Sequence, residues 1–483
     1  MSKHKTTFTR PPAAPELLIQ VDRGSGDALR AQLERELREA IRAGRLPPGT
    51  ELPSTRALAG DLRLSRGIVV EAYEQLLAEG YLTARRGSAT TVAARRVTQE
   101  RSAVGRAPAT VEEPVTAAFR HDFRAAVPDT TAFPRRAWHR SLRKVLTSAS
   151  KEALDYPDPC GVLALREALS AYLNRVRGTA AHPQRMVVCN GFTQGFRLVC
   201  TVLKQRGAQA VATEDPSHEE QRTAIRAAGL RVVNVPVDDK GVVVEKLERT
   251  GANAILVTPA HQFPTGSVLA PERRAALLEW ATRRDAFVVE DDYDAEFRYD
   301  REPIGALQGV APERVVYVGS ASKTLAPGLR LGWLAAPAEL LKDLARTKEI
   351  EDRGSSSIEQ LAFADFLERG ELDRHLRRMR LIYRRRRNLL ARALRAHLPK
   401  RRVFGIAAGL NLMLELPAGS DEQAIVAAAA ELSVNVGGVH RYRVRPAAPP
   451  ALVLGYGMLR DSAIAEGIKR LASVIERRPG KAG

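Results

Sequence analysis

The chain has 483 residues, a formal net charge of +19, and 44% apolar against 5% aromatic residues. That length suits two or three domains, the longest apolar runs fall short of a membrane span, and the opening MSKHKTTFTRPPAAPELL lacks the apolar core of a signal peptide. The basic excess points to a polyanion partner without placing its site: residues 1–96 carry 16 basic against 11 acidic residues, whereas Arg369 to Arg402 carries 14 against 2.

From Asp27 to Ala43, Leu29, Leu33, Leu37 and Ile41 recur four apart, which predicts an amphipathic helix closed by Gly44. The turn-rich LPPGTELPS follows. Ser54 then caps a short helix with Leu58 and Leu62 inward, Arg63-Leu64 makes a turn, and Ser65 caps a third helix that stops at Gly80. Tyr81 to Val92 has β-leaning ends around Arg85-Arg86-Gly87-Ser88, a hairpin with a basic tip. Helix, short helix, tight turn, helix and hairpin make a winged helix-turn-helix. Helix N-termini and guanidinium groups suit phosphate, and a bidentate arginine suits guanine.

The stretch AIRAGRLPPGTELPSTRALAGDLRLSRGIVVEAYEQLLAEGYLTARRGS resembles the DNA-binding domain of the GntR family. The resemblance implies that Ser65, Arg66 and Gly67 enter the major groove of double-stranded operator DNA. Ser54 and Arg56 would support reading or phosphate contact from the preceding helix, and Arg86-Gly87 would approach the minor groove. Ile68 and Val70 stand where many members carry polar or basic groups. We take residues 16–92 as this domain and 93–120, mixed Arg, Glu, Pro, Thr and Ala without periodicity, as a linker.

Residues 121–480 alternate strand and helix patterns. The strand candidates are Met186 to Cys189, Ala208 to Thr213, Arg231 to Val235, Ala254 to Thr258, Ala286 to Glu290, Arg314 to Val318 and Leu331 to Ala335. This is an α/β chain with a mainly parallel sheet, whose sites belong at strand C-termini. Asn190-Gly191-Phe192-Thr193 opens a helix where backbone amides can meet an anion. Later strand ends carry Glu214 to His218, the loop Thr258 to Gly266, the run Glu290 to Asp294, and Lys323 in the turn Ser320-Ala321-Ser322. Burial would disfavour the ammonium form of Lys323, and the charge of Arg330 would add to that. An anion cradle, a planar side chain, a carboxylate, a phenol and a lysine together suit an aldehyde cofactor with a ring nitrogen and a phosphate. Cys160, Cys189 and Cys200 show neither metal-ligand nor disulfide spacing; no metal is expected, and a cytoplasmic setting fits.

YPDPCGVLALREALSAYL, NGFTQGF, EDPSHEEQR, TPAHQFPTG, EDDYDAEF and SASKTLAPGLRLGW resemble the fold-type I aminotransferases. The resemblance implies pyridoxal 5′-phosphate (PLP) attached at Lys323, with Asp291 against its ring nitrogen, Tyr293 at its ring hydroxyl and His218 on its face. Gln262 or His261 would lie near the ring oxygen. Gly191, Phe192, Thr193, Ser320, Ser322 and Arg330 would hold the phosphate, and Tyr156 would reach it from a neighbouring subunit. The final strand, Ala451 to Gly457, lacks the arginine that commonly grips a substrate carboxylate; Arg441 is the substitute candidate, or a solvated arginine.

The HQFPTG loop and the fused winged helix are similar to the MocR-type branch of the GntR regulators. That likeness implies a head-to-tail homodimer in which the aminotransferase-like domain senses an amine, an amino acid or PLP and so regulates transcription. A working aminotransferase with an attached DNA-binding domain is the alternative. The basic segment Leu372 to Leu394 predicts a long helix in a smaller C-terminal subdomain, about 345–480, with Leu372, Leu376, Met379, Tyr383 and Leu390 inward. Its outward arginines form either a solvated face or a second DNA contact.

Overall fold

A computed structural model describes residues 19–85, 88–93, 119–299, 304–405, 408–445 and 449–477. The chain divides into two compact units, Met1–Thr116 and Ala117–Gly483.

The first unit is built from helices Leu29–Arg42, Thr55–Asp61 and Arg66–Ala78 and an antiparallel pair, Leu82–Thr83 with Thr91–Val92. The fourfold spacing of the first helix puts Leu33 and Leu37 in the core, where they meet Leu58, Val69, Leu76, Leu82 and Val92. Both predicted serine caps form: Ser54 Oγ accepts the Ala57 N–H at 3.2 Å and Ser65 Oγ accepts the Ile68 N–H at 3.4 Å. Each satisfies an amide that the first helical turn would leave unpaired. The connection LPPGTELPS does more than turn. Glu51 bridges Thr91 and the Leu52 N–H reaches the Thr90 carbonyl at 2.8 Å, so the connection edges the hairpin as a further extended segment.

The second unit centres on an eight-stranded sheet in the order Met186–Cys189, Gly332–Ala335, Val315–Ser320, Phe287–Asp292, Ala254–Val257, Ala210–Asp215, Arg231–Asp238, Gly241–Val242. The four pairings from Val315–Ser320 through to Arg231–Asp238 are parallel, and both flanks are antiparallel. All seven expected strands are present. The central ones are buried along their whole length, as a sheet covered by helices on both faces requires. Leu198, Val202, Leu340 and Leu344 pack against one part of this sheet and Leu277 and Trp280 against another.

A smaller layer holds the antiparallel sheet Val403–Phe404, Asn411–Glu415, Ala451–Gly455, Gly437–Gly438 and the helices Glu371–His397, Glu422–Glu431 and Asp461–Arg477. Its core receives the predicted stripe Leu372, Leu376, Met379, Tyr383 and Leu390. This layer also recruits the start of the unit, because His121–Asp122 pairs in parallel with Val434–Asn435. Among the described residues no helix is long and apolar enough to cross a membrane, and no cluster of His, Cys, Asp or Glu could hold a metal ion.

Candidate functional site

The parallel strands end along one edge of the sheet, and a cavity of about 230 Å³ opens there. Glu214, Thr258, Asp291 and Ser320 reach it from four strand ends; Phe192 and Thr193 reach it from the first turn of the helix Phe192–Gln205. His218, Tyr293, Ser322, Lys323 and Arg330 complete the predicted residues in its wall.

Strand alternation sorts the acidic run Glu290 to Asp294. Asp291 points into the cavity, whereas Asp292 points to the opposite face and pairs with the buried Arg177 at 2.7 Å and the Tyr317 hydroxyl at 2.8 Å. Glu290 shares that opposite side and accepts the Leu307 and Gln308 amides at 2.9 and 3.0 Å. Among the described residues Asp291 is left with one weak hydrogen-bond partner, Gln221 Nε2 at 3.4 Å. Burial, then Asp292 and Asp294, push its carboxyl well above the usual range, with Lys323 opposing. A buried carboxylate so poorly matched needs a cationic hydrogen-bond donor.

Lys323 makes no hydrogen bond or ion pair among the described residues, and burial lowers its pKa. The countering charges are the carboxylates Asp291, Asp294 and Glu220. Arg330, expected from the sequence to help depress Lys323, is instead turned towards the helix N-terminus, where Nη2 donates to the Asn190 carbonyl at 2.6 Å. Gly191 is the hinge of that corner. It sits at φ +87°, and a Cβ there would lie 2.8 Å from Arg330 Nη2. Only glycine leaves room for the guanidinium beside the free amides of the helix start.

The aromatic residues form a cluster. His218 stacks on Phe263 with centroids 4.0 Å apart and 7° between planes, and Tyr442 meets it edge-on at 5.6 Å. Burial, helped by Lys323 and Arg222, lowers the His218 pKa to about 4, so the ring is neutral at pH 7. Tyr293 donates to the His261 carbonyl at 3.0 Å, and His261 Nδ1 lies 3.0 Å from the same hydroxyl and 3.1 Å from Asp294.

Gln262, Tyr156 and Arg441 lie elsewhere, and Gly191 and His261 stand behind the wall without lining it. Gln262 does not line the cavity. Its amide nitrogen is spent on the Pro216 and Phe263 carbonyls at 2.8 and 2.6 Å, and its oxygen on Thr265. It braces the loop Thr258 to Gly266 because a buried loop must satisfy its own backbone. Tyr156 is 75% exposed with Arg353 over its ring at 5.4 Å, away from this cavity. Arg441 is exposed and lines a neighbouring hollow with Arg124, Tyr442, Glu220 and His218, of which the last two also border the cavity.

Sequence reasoning missed Glu214, Gln221 and Phe263 as wall residues. Glu214 is buried, accepts the Thr258 N–H and hydroxyl at 3.1 and 2.6 Å, and has its pKa pushed up to about 7 by burial. Its position at a strand end was the available signal.

In the first unit Ser54, Arg56, Ser65, Arg66 and Gly67 are all exposed, and neither arginine forms an ion pair among the described residues. Ile68, by contrast, packs against the core, which accounts for an apolar side chain on that helix. Arg86 and Gly87 lie outside the described residues.

Comparison with known proteins agrees with both units. The family "Bacterial regulatory proteins, gntR family" matches residues 29–92, and "Aminotransferase class I and II" matches residues 127–452. The protein named "Probable rhizopine catabolism regulatory protein MocR" of Rhizobium meliloti is 32% identical over 95% of this chain and 96% of its own length. The HTH-type pyridoxine biosynthesis transcriptional regulator PdxR of Corynebacterium glutamicum is also 32% identical, over 92% and 95%. Among solved structures, an archaeal alanine:glyoxylate aminotransferase matches with a TM-score of 0.68 and 28% identity, covering 74% of this chain and 91% of its own. Pyrococcus horikoshii kynurenine aminotransferase in complex with PMP matches with a TM-score of 0.69 and 25% identity, covering 78% and 96%. PLP is the cofactor that this domain implies, and the unpartnered Lys323, the under-matched Asp291 and the Gly191 cradle fit an aldehyde, a ring nitrogen and a phosphate. The chain belongs to the MocR-type branch of the GntR family, transcription regulators in which a winged helix is joined to an aminotransferase-like domain.

Proposed function

We propose that this regulator reads a small amine, an amino acid or PLP itself at Lys323 and converts its binding into a change in operator affinity. The observation that carries the reading is the pairing on one chain of an exposed winged-helix reading surface with a cavity holding Lys323, Asp291 and Tyr293 together. In this reading residues 16–92 bind DNA through Ser54, Arg56, Ser65, Arg66, Gly67, Arg86 and Gly87. Residues 93–120 connect, and residues 121–480 bind the cofactor.

PLP supplies an aldehyde and an electron-withdrawing ring. This chain's residues would position it: Asp291 would hold a proton at the ring nitrogen, and the Tyr293 hydroxyl, held by His261, would lie at the ring hydroxyl. Gly191, Phe192, Thr193, Ser320, Ser322 and Arg330 take the phosphate. The burial that lowers the Lys323 pKa keeps a larger share of it as the reactive free amine. Neutral His218, backed by Phe263, offers a flat apolar face. An effector must differ in its contacts with two arrangements of the protein to shift DNA binding, and an amine entering the cavity beside Lys323 would meet Asp291, Tyr293 and His218 there. The protein acts as a head-to-tail homodimer to which Tyr156 contributes across the interface, its exposure suiting a partner's site. Arg441 is the candidate for an effector carboxylate. PLP itself belongs among the candidate effectors because a relative, PdxR, is named for pyridoxine biosynthesis.

The complete Lys323, Asp291 and Tyr293 set also favours a second reading, an active aminotransferase. Footprinting on the DNA upstream of the protein's own coding region, with and without PLP and a panel of amines, tests the first. Protection that changes with one of them supports it. Steady exchange of an amino group between an amino acid and a keto acid, with no sequence-specific DNA protection, supports the second.

A further inference from the structure

The helix Glu371–His397 carries ten arginines, and its two acidic residues, Glu371 and Asp373, both sit in the first turn. From Arg374 to Arg402 there are thirteen basic residues and no acidic one. The structure divides these arginines by direction. Those facing the protein are structural: Arg386 pairs with Asp129 at 2.8 Å, and Arg380 Nε donates to the Glu296 carbonyl at 2.6 Å. Arg377, Arg384, Arg392 and Arg395 are exposed and form no ion pair or hydrogen bond among the described residues. At 100° per residue these four and the exposed Asn388 fall within about 80° of one another, along about 27 Å of helix.

An ordinary solvated face interleaves charges of both signs. The first helix of this chain does so, with Arg30–Glu34 at 3.3 Å, Arg35–Asp27 at 3.1 Å and Arg38–Glu79 at 2.9 Å. The Arg377 to Arg395 row has no such partners, and like charges along one helix face weaken the helix. Its charges therefore do nothing for the fold. Over about 27 Å a DNA duplex presents about 16 phosphate charges, and arginine pairs with phosphate in a bidentate way. We propose that this row is a second, sequence-independent DNA contact, made by the aminotransferase-like unit on the backbone of duplex DNA. It rests on the DNA-binding reading of the protein and adds to it a contact that carries affinity without reading bases.

The test uses full-length, PLP-loaded protein and a fluorescent duplex of about 60 base pairs of arbitrary sequence, titrated between about 50 and 200 mM salt. Replacing Arg377, Arg384, Arg392 and Arg395 together by Gln should make the plot of log affinity against log salt shallower by up to about 3.6 per bound protomer. The same four positions changed to Lys should keep the wild-type slope, because phosphate accepts a point charge. Unaltered PLP absorbance in both variants reports intact folding. If the Gln variant keeps the wild-type slope, this inference is overturned while the DNA-binding reading stands. If wild-type protein binds no duplex at any salt, the DNA-binding reading itself fails.

Discussion

Gly191→Ala tests the phosphate cradle without touching a reactive group. The position has φ +87° and ψ 176°, a region populated almost only by glycine, so alanine there costs about 1–3 kcal/mol of backbone strain. That strain is present with or without cofactor and should appear as a loss of thermal stability. A second effect is specific to the site. The new Cβ would lie 2.8 Å from Arg330 Nη2 and 3.2 Å from Cζ, too close for the guanidinium to keep its 2.6 Å bond to the Asn190 carbonyl. A guanidinium displaced in this way would no longer meet the phosphate, and a charge-assisted hydrogen bond of about 1.5–3 kcal/mol lost there corresponds to an affinity loss of about 10- to 150-fold. Titrating PLP into the apoprotein and following the absorbance of the lysine-bound cofactor measures this directly. Gly328→Ala is the matched control: it lies in the same loop region, has no positive φ, and its Cβ would meet nothing within 4 Å. If Gly191→Ala bound PLP as tightly as Gly328→Ala, the cradle argument would be wrong.

Three further outcomes follow from other parts of the molecule. Gly67→Ala sits inside the third helix with open space around the new methyl, so the winged helix should gain up to about 1 kcal/mol of stability. On the proposed contact of Gly67 with DNA, affinity should nevertheless fall because the new methyl would stand where the backbone approaches the duplex; gel shift and thermal melting together check this. His218→Phe should alter the acid profile of the apoprotein. Folded His218 titrates at about 4 against about 6.5 unfolded, so it binds fewer protons when folded and stability rises with pH between those values. Relative to wild type, the variant should therefore gain about 2–3 kcal/mol on going from pH 7.5 to 4.5 in urea titrations. The difference between proteins is the meaningful quantity because Glu214, raised to about 7, imposes the opposite trend on both. Arg177→Met leaves Asp292 buried without its cation and should cost about 3–5 kcal/mol, with Asp292→Asn in the same chain restoring part of it.

Most of the fold is legible because each element agrees with its burial. The Leu29 to Ile41 spacing, the caps at Ser54 and Ser65 and the β-branched central strands point to one structure at every level. Four strands run further than apolar patterning suggests, to Asp215, Asp238, Asp292 and Ser320, and at Asp215 and Asp292 the reason is that the closing carboxylates are buried rather than solvated. Asp215 accepts the Val444 and Arg445 amides at 3.0 and 3.3 Å, and Asp292 takes Arg177, partners remote in sequence. Gln262 shows the same limit. A glutamine at a strand end reads as a ligand contact, yet the local loop consumes both its donor and its acceptor. The reverse holds for Asp291, whose significance lies in the partners that it lacks.

The central claim is that occupancy at Lys323 is coupled to DNA binding. The most direct test compares wild-type and Lys323→Ala protein on the same footprinted operator, measuring affinity with and without PLP and the active amine. Wild type should show an effector-dependent change in affinity of about 5- to 150-fold, the usual range of allosteric coupling. Lys323→Ala should bind the operator with an affinity that no longer responds. An equal response in both proteins would contradict the account, because the signal would then enter the protein elsewhere.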